Sequence, residues 1–317
     1  MFSIIIPLYN KAAYVEKAIR SVLNQTYQGF ELIIVNDGST DASLDLIQQF
    51  NNSIIQQFNI VNQTNQGVSV ARNNGVKFAK YEYVAFLDAD DWWEPTYLAE
   101  MKKLLETYPE AGIYGSSYFI VRNGQNLPAK IGVDSDFKSG LVNYCKAYAR
   151  TFYMPLWTGA TVIRKSVFDE EHGFKPNLVL GEDFDLWIRI VLKHPMAFIN
   201  TPLSFYNQDV ELLHKAVVFE KIYAPSSLYI FNLDYLIEDE RTNKELKYLL
   251  DLLRVYSFER YILQGAYLFE VKKEIAKVNF RNVPFSYWII YHFPIWTIRF
   301  WFQFKKIISN LKSRVLK

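Results

Sequence analysis

Only one cysteine, Cys145, occurs among the 317 residues. That excludes an internal disulfide and any C-x-x-C pair, and it fits a reducing compartment. No G-x-x-x-x-G-K-[ST] is present, so there is no phosphate-cradling P-loop. No G-x-G-x-x-G follows the first apolar run, where "PLYNKAAY" has no glycine for a dinucleotide pyrophosphate to approach. H-E-x-x-H is missing too, and with no C-x-x-C zinc chemistry is not expected. Met1 runs straight into "FSIII" with neither a basic n-region nor a small-residue cleavage site. A secretory signal is therefore not expected, and the chain reads as cytoplasmic.

What is present is apolar and aromatic: 50% of the residues are hydrophobic and 17% are Phe, Trp or Tyr. The length suits about two domains. Net charge is only +2, but it is unevenly placed. From Lys272 onward ten Lys or Arg face one acid, Glu274, a net +9 that leaves residues 1–271 at −7. An acidic body with a basic end implies an acidic partner for that end.

The first two hundred residues alternate two periodicities. "FSIII" (2–6) is a β-branched run closed by Pro7, and Ala12, Val15, Ala18, Ile19, Val22 and Leu23 then share one helical face. "FELIIV" (30–35) is a second strand, and Ser39 or Thr40 is placed to cap a helix carrying Leu44, Ile47 and Phe50. "IIQQFNIV" is a third strand, "GVSVARNNGVKFA" (67–79) a helix, and "YVAFL" (83–87) a fourth strand before a helix opened by Pro95. Such alternation predicts βαβ units and a parallel sheet of the α/β class.

Ligands of open α/β sheets bind beyond the carboxyl ends of the strands. There the sequence places "PLYN" (7–10), "NDGST" (36–40), "NQTNQG" (62–67) and "DADD" (88–91). Each alone reads as turn chemistry or a helix start. Together they line one crevice. Three aspartates at the end of a buried strand repel one another unless a cation compensates them. Hard oxygen ligands without His or Cys suit Mg²⁺ or Mn²⁺, held by one or two carboxylates and completed by substrate phosphates.

At this point the motifs "FSIIIPLYN", "ELIIVNDGSTD", "NQGVSVARNNGV", "VAFLDADDWW" and "GEDFDLWIRI" resemble, in order, those of family 2 glycosyltransferases with the GT-A fold. The resemblance covers residues 1 to 210 or so. It implies a Rossmann-like, mostly parallel sheet, a nucleotide-diphospho-sugar donor with UDP first, and inverting transfer. Pro7, Tyr9 and Asn10 would flank the nucleoside, and Asp37 would bond the base. Arg72 would lie near the base or diphosphate. Asp88, with Ala89 beside it, would contact ribose or metal. Asp90 would be the main metal ligand, and Asp183 the catalytic base. Asn36 stands where many relatives carry an acid. No Q-x-x-R-W follows "GED", which speaks for a non-processive enzyme.

The residues around Asp183 permit both a base and a bland reading. Leu186, Trp187, Ile190 and Val191 form an apolar stripe, so a helix starts near Glu182. Asp183 in its first turn would then compensate the helix dipole, or act as general base on an acceptor hydroxyl. Trp157, Thr158 and Glu182 are the acceptor-side candidates, with Trp157 stacking on a sugar or packing in the core. Cys145 in "VNYCKAYA" reads as a small core residue on a helix, and His172 and His194 as structural.

From about residue 216 the alternation gives way to two or three helices, with a break at Pro225. The domains expected are 1–215 and 216–317. From Pro284 the segment "PFSYWIIYHFPIWTIRFWFQFKKIISNLKSRVLK" mixes aromatics with Lys and Arg and is interrupted by His292, Pro294 and Arg299. A span needs about 20 mainly apolar residues. The pattern favours a segment lying at an anionic membrane surface over a span, with packing on the protein's own core as the alternative. The acceptor expected is a lipid-linked saccharide on the inner membrane face, in assembly of a surface polysaccharide. Polyprenyl phosphate as acceptor, or a non-catalytic nucleotide-sugar-binding scaffold, are the rival readings. Nucleic acid is not expected as a partner.

Overall fold

The computed structural model describes residues 1–53, 58–210, 221–294 and 296–297. Two compact units divide the chain, Met1–Val217 and Val218–Lys317. The boundary expected at 215/216 lies outside the described residues.

In the first unit β1 (Phe2–Leu8), β2 (Phe30–Asp37), β3 (Phe58–Gln63) and β4 (Tyr83–Phe86) form a parallel block in the order β3-β2-β1-β4. They alternate in sequence with α1 (Val15–Leu23), α2 (Ser43–Ser53) and α3 (Val68–Lys77). β1 does not stop at Pro7 as the sequence suggests. Along a strand, successive residues turn their backbone polar groups to opposite neighbours. Ile5 accepts from the Leu87 N–H on the β4 side, so Pro7 faces that side as well, beyond the last β1–β4 pair. The N–H that proline lacks therefore removes no ladder bond. The start of α2 also departs from expectation. Asp41 Oδ1, not Ser39 or Thr40, accepts the Ser43 N–H at 3.0 Å, which releases the two hydroxyl residues to the crevice.

The other half of the sheet is mixed. β5 (Trp92–Trp93), β6 (Ile113–Arg122), β7 (Gln125–Pro128), β8 (Ser139–Val142), β9 (Thr161–Arg164) and β10 (Met196–Asn207) extend the order to β3-β2-β1-β4-β9-β6-β10-β5. β7 adds to β6 and β8 to β10. β9 lies antiparallel between β4 and β6, whereas β6 and β10 are parallel. Helices α4 (Tyr97–Thr107), α5 (Tyr144–Thr151), α6 (Lys165–Glu170) and α7 (Glu182–Val191) flank it. Cys145 is buried on α5, as expected of a core residue.

Ile4, Ile6, Ile19, Leu32, Ile34, Leu98 and Met101 pack one core with the sheet, each fully or almost fully buried. Ile5 and Val35 meet α3, where Gly75 permits an unusually close approach. A Cβ at that position would lie 2.5 Å from Ile5 Cγ2. Pressing α3 onto β1 in this way fixes Arg72, one turn earlier on the same helix.

The second unit is helical. Three short 3₁₀ turns between Pro225 and Leu236 precede α8 (Ile237–Thr242), α9 (Lys244–Gln264), α10 (Leu268–Ile275) and α11 (Phe285–His292). Three described helices, α8 to α10, occupy the stretch where two or three are expected, and α11 belongs to the segment from Pro284; local stops divide them. Asn243 Oδ1 accepts the Leu246 N–H at 3.0 Å to start α9, and Gly265, at φ 74°, ends it in the left-handed region. Arg254 lies wholly buried on α9 and donates to both Glu240 oxygens, at 2.8 and 2.5 Å. Glu274 stands 3.6 Å from its Nε. Breaking a buried pair from one side strands the other charge. Glu240→Ala is therefore expected to lower unfolding stability by about 3 kcal/mol or more, read from a denaturant midpoint. Glu238→Ala, which removes only an exposed pair with Arg241, should leave that midpoint nearly unchanged. Equal midpoints for the two variants would overturn the assignment.

Candidate active site

The four strand ends do meet, and side chains lock them together. Asn10 sits in the left-handed region at φ 50°. Its N–H donates to Ser39 Oγ at 3.2 Å and its Oδ1 accepts the Thr40 N–H at 2.8 Å, so "PLYN" and "NDGST" form one wall. Tyr9 stands on that wall, 46% exposed. Asn36 continues it sideways, donating to Asn62 Oδ1 on β3 at 3.0 Å.

Asp37 is buried at the end of β2 and organises the loop ahead of α3. Its Oδ1 accepts from Gln63 Nε2 at 2.7 Å and from the Gln66 N–H at 2.8 Å; its Oδ2 accepts from the Gly67 N–H at 2.9 Å. A carboxylate offers about four lone-pair sites. Three are committed to the protein, which leaves about one for a ligand.

Arg72 joins motifs that are far apart in sequence. Its Nη2 donates to Asp88 Oδ1 at 2.7 Å and its Nη1 to Glu182 Oε1 at 2.9 Å, while the guanidinium carbon lies 5.2 Å from the Phe174 ring centroid. The side chain is only 4% exposed. It is thus a buried bridge between the end of β4 and the start of α7, held by two carboxylates rather than presented to the crevice.

The aspartate cluster divides into three fates. Asp88 pairs with Arg72, and Asp90 pairs with Lys11 Nζ. Asp91, 2% exposed, accepts the Asn207 N–H at 2.8 Å and the Trp157 Nε1–H at 3.2 Å. Burial, reinforced by its two aspartate neighbours, pushes the Asp91 carboxyl well above the usual range. Burial also raises Asp90, with Lys11 opposing the shift. The repulsion that the sequence presents as a puzzle is relieved by two protein cations and a buried hydrogen-bonded acid. Among the described residues no cluster of three or more His, Cys, Asp or Glu would hold a metal ion alone. Asp88 and Asp90 each commit one oxygen to a protein cation, so the second oxygens supply at most two hard ligands. That donor set fits Mg²⁺ or Mn²⁺ completed by a substrate's phosphates.

The neighbouring tryptophans fix the turn after Trp157. Trp93 Nε1 donates to the Gly159 carbonyl at 2.5 Å, and Trp157 is held by Asp91. The short turn Thr158–Ala160 is thereby tied to the aspartate loop. It carries Thr158 Oγ1 to 3.4 Å from Asp183 Oδ2, at the long end of hydrogen-bond range. Trp157 and Tyr206 face each other with centroids 3.9 Å apart. The Tyr206 phenol is pushed up to about 12 by burial, with Asp91, Asp90 and Asp88 adding to the shift.

Three acids open α7, after Gly181 at φ 78°. Asp185 is fully buried and paired with Lys175 at 2.7 Å and Arg189 at 3.0 Å. Glu182 holds Arg72, and burial together with the Asp183 charge raises its carboxyl to about 7. Asp183 uses Oδ1 to accept the Phe184 N–H at 2.7 Å, which satisfies a first-turn donor. Among the described residues its Oδ2 meets only the distant Thr158 hydroxyl. Burial raises the Asp183 carboxyl, partly opposed by the Phe184 N–H and Arg72. The bland and the chemical readings of Asp183 therefore fall on different oxygens of one side chain.

Pro7, Tyr9, Asn10, Asp37, Asp88, Ala89, Asp90, Trp157, Thr158, Glu182 and Asp183 lie at or immediately beside these strand and helix ends, and Arg72 reaches them from the middle of α3. Lys11 and Tyr206 belong with them and were not singled out by sequence. Lys11 follows "PLYN" directly, a position next to a known wall. Tyr206 carries no such signal. His194 pairs with Glu170 at 3.2 Å, away from the crevice, in line with a structural role.

A sheet of this order, with Asp-Ala-Asp beyond its fourth strand, defines the GT-A class of fold. The chain belongs to glycosyl transferase family 2, whose profile matches residues 3–169. Putative glycosyltransferase EpsH of Bacillus subtilis is 40% identical over 99 residues, 31% of this chain and 28% of that one. This chain spans between 18 and 28% of the length of EpsH and two further curated glycosyltransferases. Among solved structures, S. aureus TarS 1–349 in complex with UDP-GlcNAc matches with a TM-score of 0.71 at 18% identity, over 89% of this chain and 82% of that one. Mannosyltransferase PcManGT of Pyrobaculum calidifontis, solved with GDP-Man and Mn²⁺, matches with a TM-score of 0.55 at 17% identity, over 87% and 73%. At such identities the likeness shows the fold.

Proposed function

We propose that the chain is a non-processive, inverting glycosyltransferase that moves a hexosyl group from a nucleotide diphosphate, first of all UDP, to a saccharide hydroxyl. The observation that carries this reading is Asp183. Of the three acids opening α7 it alone makes no ion pair among the described residues, since Glu182 is held by Arg72 and Asp185 by Lys175 and Arg189, and its Oδ2 faces the Thr158 turn. A base there takes the acceptor's proton as its oxygen bonds to the anomeric carbon. The bond from that carbon to the diphosphate breaks, and the electron pair leaves with the diphosphate. Attack from the face opposite the leaving group inverts the centre.

The remaining residues take supporting roles. Tyr9 offers a ring face to the nucleoside, and the free acceptor site of Asp37 suits an N–H of the base. Trp157, beside Tyr206 with the two rings tilted by 32°, suits an acceptor sugar face. Asp88 and Asp90 would hold Mg²⁺ or Mn²⁺ with the diphosphate; when bound, the ion neutralises charge on the departing phosphate. Support for a metal comes from PcManGT, solved with Mn²⁺ and GDP-Man on the same fold. Support for a UDP-sugar comes from the UDP-GlcNAc complex of TarS. The acceptor proposed is a lipid-linked saccharide in surface polysaccharide assembly, with the enzyme peripheral on the cytoplasmic face of the membrane. Polyprenyl phosphate, already ionised, would make no use of a buried carboxylate as base. A scaffold would need neither Asp183 nor a hydroxyl beside it.

The test is a panel of nucleotide sugars with and without chelator. One of them should release its nucleotide diphosphate in a metal-dependent way, slowly with water and faster with a saccharide acceptor. A chain that binds a nucleotide sugar but never cleaves it is a scaffold, and the proposal fails.

A further inference from the structure

The helix α11 in the second unit is apolar on both sides, which a solvated surface helix is not. One side packs inward. Ile290 is 5% exposed, Val283 just before the helix is 8% exposed, and Tyr291 donates its hydroxyl to the Val255 carbonyl of α9 at 2.6 Å. The opposite side carries Phe285, Trp288 and Ile289, and the chain continues past it with Phe293 and Trp296. All five are exposed, Phe285 and Trp296 at 70% and 73%. Phe285, Trp288 and Ile289 follow the i, i+3, i+4 spacing of one face of α11, and Phe293, in extended backbone just past the helix, still brings its ring to 6.2 Å from Trp288. The stripe is ordered in itself: Phe285 and Trp288 stack at 5.4 Å with an 8° angle, and Trp288 and His292 stack at 4.8 Å with a 17° angle.

A contiguous exposed aromatic patch marks an interaction surface. The charge around it selects the partner. No acid occurs anywhere from residue 275 to the end, and residues 298–317 hold six Lys or Arg. Arg281, just ahead of the stripe, is exposed. An apolar protein groove would be matched by the aromatics alone. An anionic bilayer matches both, since Trp and Phe settle at the headgroup boundary while Lys and Arg meet the phosphates. No described helix is long and apolar enough to cross a membrane.

We propose that the exposed stripe Phe285, Trp288, Ile289, Phe293 and Trp296 is a docking surface for an anionic membrane, seated by the aromatics and reinforced by the basic residues that follow. It deepens the proposal of a lipid-linked acceptor by naming what attaches the enzyme. Its test reads binding, not turnover, so the two can fail separately.

The full chain is mixed with vesicles of phosphatidylcholine carrying about 30% phosphatidylglycerol, or of phosphatidylcholine alone, and sedimented. It should bind the anionic vesicles, less tightly as salt rises. Phe285→Ser combined with Trp288→Ser and Trp296→Ser should weaken that binding by roughly 100-fold, about fivefold for each aromatic withdrawn from the interface. Because these side chains are exposed, the variant should melt with the wild type. Deleting residues 298–317 should remove most of the salt dependence and leave a weaker, salt-insensitive binding through the stripe. Three results would overturn the proposal. The wild type fails to bind at low salt; the triple variant binds as well as the wild type; or the wild type is a dimer that the variant converts to a monomer without any vesicle binding. The last would assign the stripe to a second copy of the chain.

Discussion

Asp183→Asn is expected to lower turnover by about 100-fold or more, the scale of losing a general base, while nucleotide affinity stays close to that of the wild type. Asparagine keeps the shape and can still accept the Phe184 N–H through its carbonyl oxygen, so the start of α7 should persist. What it loses is the charge and basicity at the oxygen facing Thr158. The direction of the pKa shift adds a second readout. Burial raises the Asp183 carboxyl, so the acid limb of the wild-type rate profile should lie above the ordinary aspartate range. Activity should fall as pH drops through it, and the limb should vanish in the variant. Stability gives a third. A carboxyl raised on folding contributes stability at low pH that is lost as pH rises through the folded value. At pH 8 the asparagine variant should therefore melt no lower than the wild type, which separates a lost base from a lost fold. Near wild-type turnover would reduce Asp183 to a first-turn residue of its helix.

Asp90→Ala should be more severe, with transfer reduced by roughly 1000-fold, the several kcal/mol assigned to metal stabilisation of a leaving phosphate. Nucleotide binding, followed by calorimetry, should no longer respond to Mg²⁺ or Mn²⁺. The neighbouring position gives the contrast. Asp91→Ala removes the acceptor of the Asn207 and Trp157 N–H groups and should lower the melting temperature as well as activity. If the wild type keeps full activity in excess chelator, the metal assignment is wrong and Lys11 is the cation that Asp90 requires.

The alternation in residues 1–107 carries the parallel half of the fold because β1, β2 and β4 are largely apolar runs bounded by turn residues, and β3, though it carries Asn59, Asn62 and Gln63, falls between two helical stretches. The mixed half is harder to read. β9 is four residues long, Thr161–Arg164, and enters antiparallel between two strands that it does not adjoin in sequence. β10 is twelve residues long but breaks register around Pro202, which blurs any period of two. The site divides in the same way. Strand-end position brings Asp37, Asp88 and Asp90 to notice, because that depends on local pattern. The partners that decide their chemistry are remote: Lys11 is 79 residues from Asp90, and Asn207 is 116 residues from Asp91. No window of sequence contains both members of such a pair. Asp37 carries the same lesson, since three donors converge on it from the next strand and the loop beyond.

The buried Arg72 bridge bears on how such an enzyme can be recombined. Its guanidinium takes one acid from sixteen residues downstream and another from 110 residues downstream. A chimera that keeps the first hundred residues and imports the rest from a relative inherits half of that bridge. If the imported helix began without an acid at the place of Glu182, a guanidinium would be left enclosed with one partner, and the crevice would distort at its centre. The graft boundary is therefore a constraint on residue identity as much as on backbone shape. The exposed hairpin of β6 and β7, residues 122–128, takes no part in the bridge, so an exchange there leaves Arg72 with both of its acids.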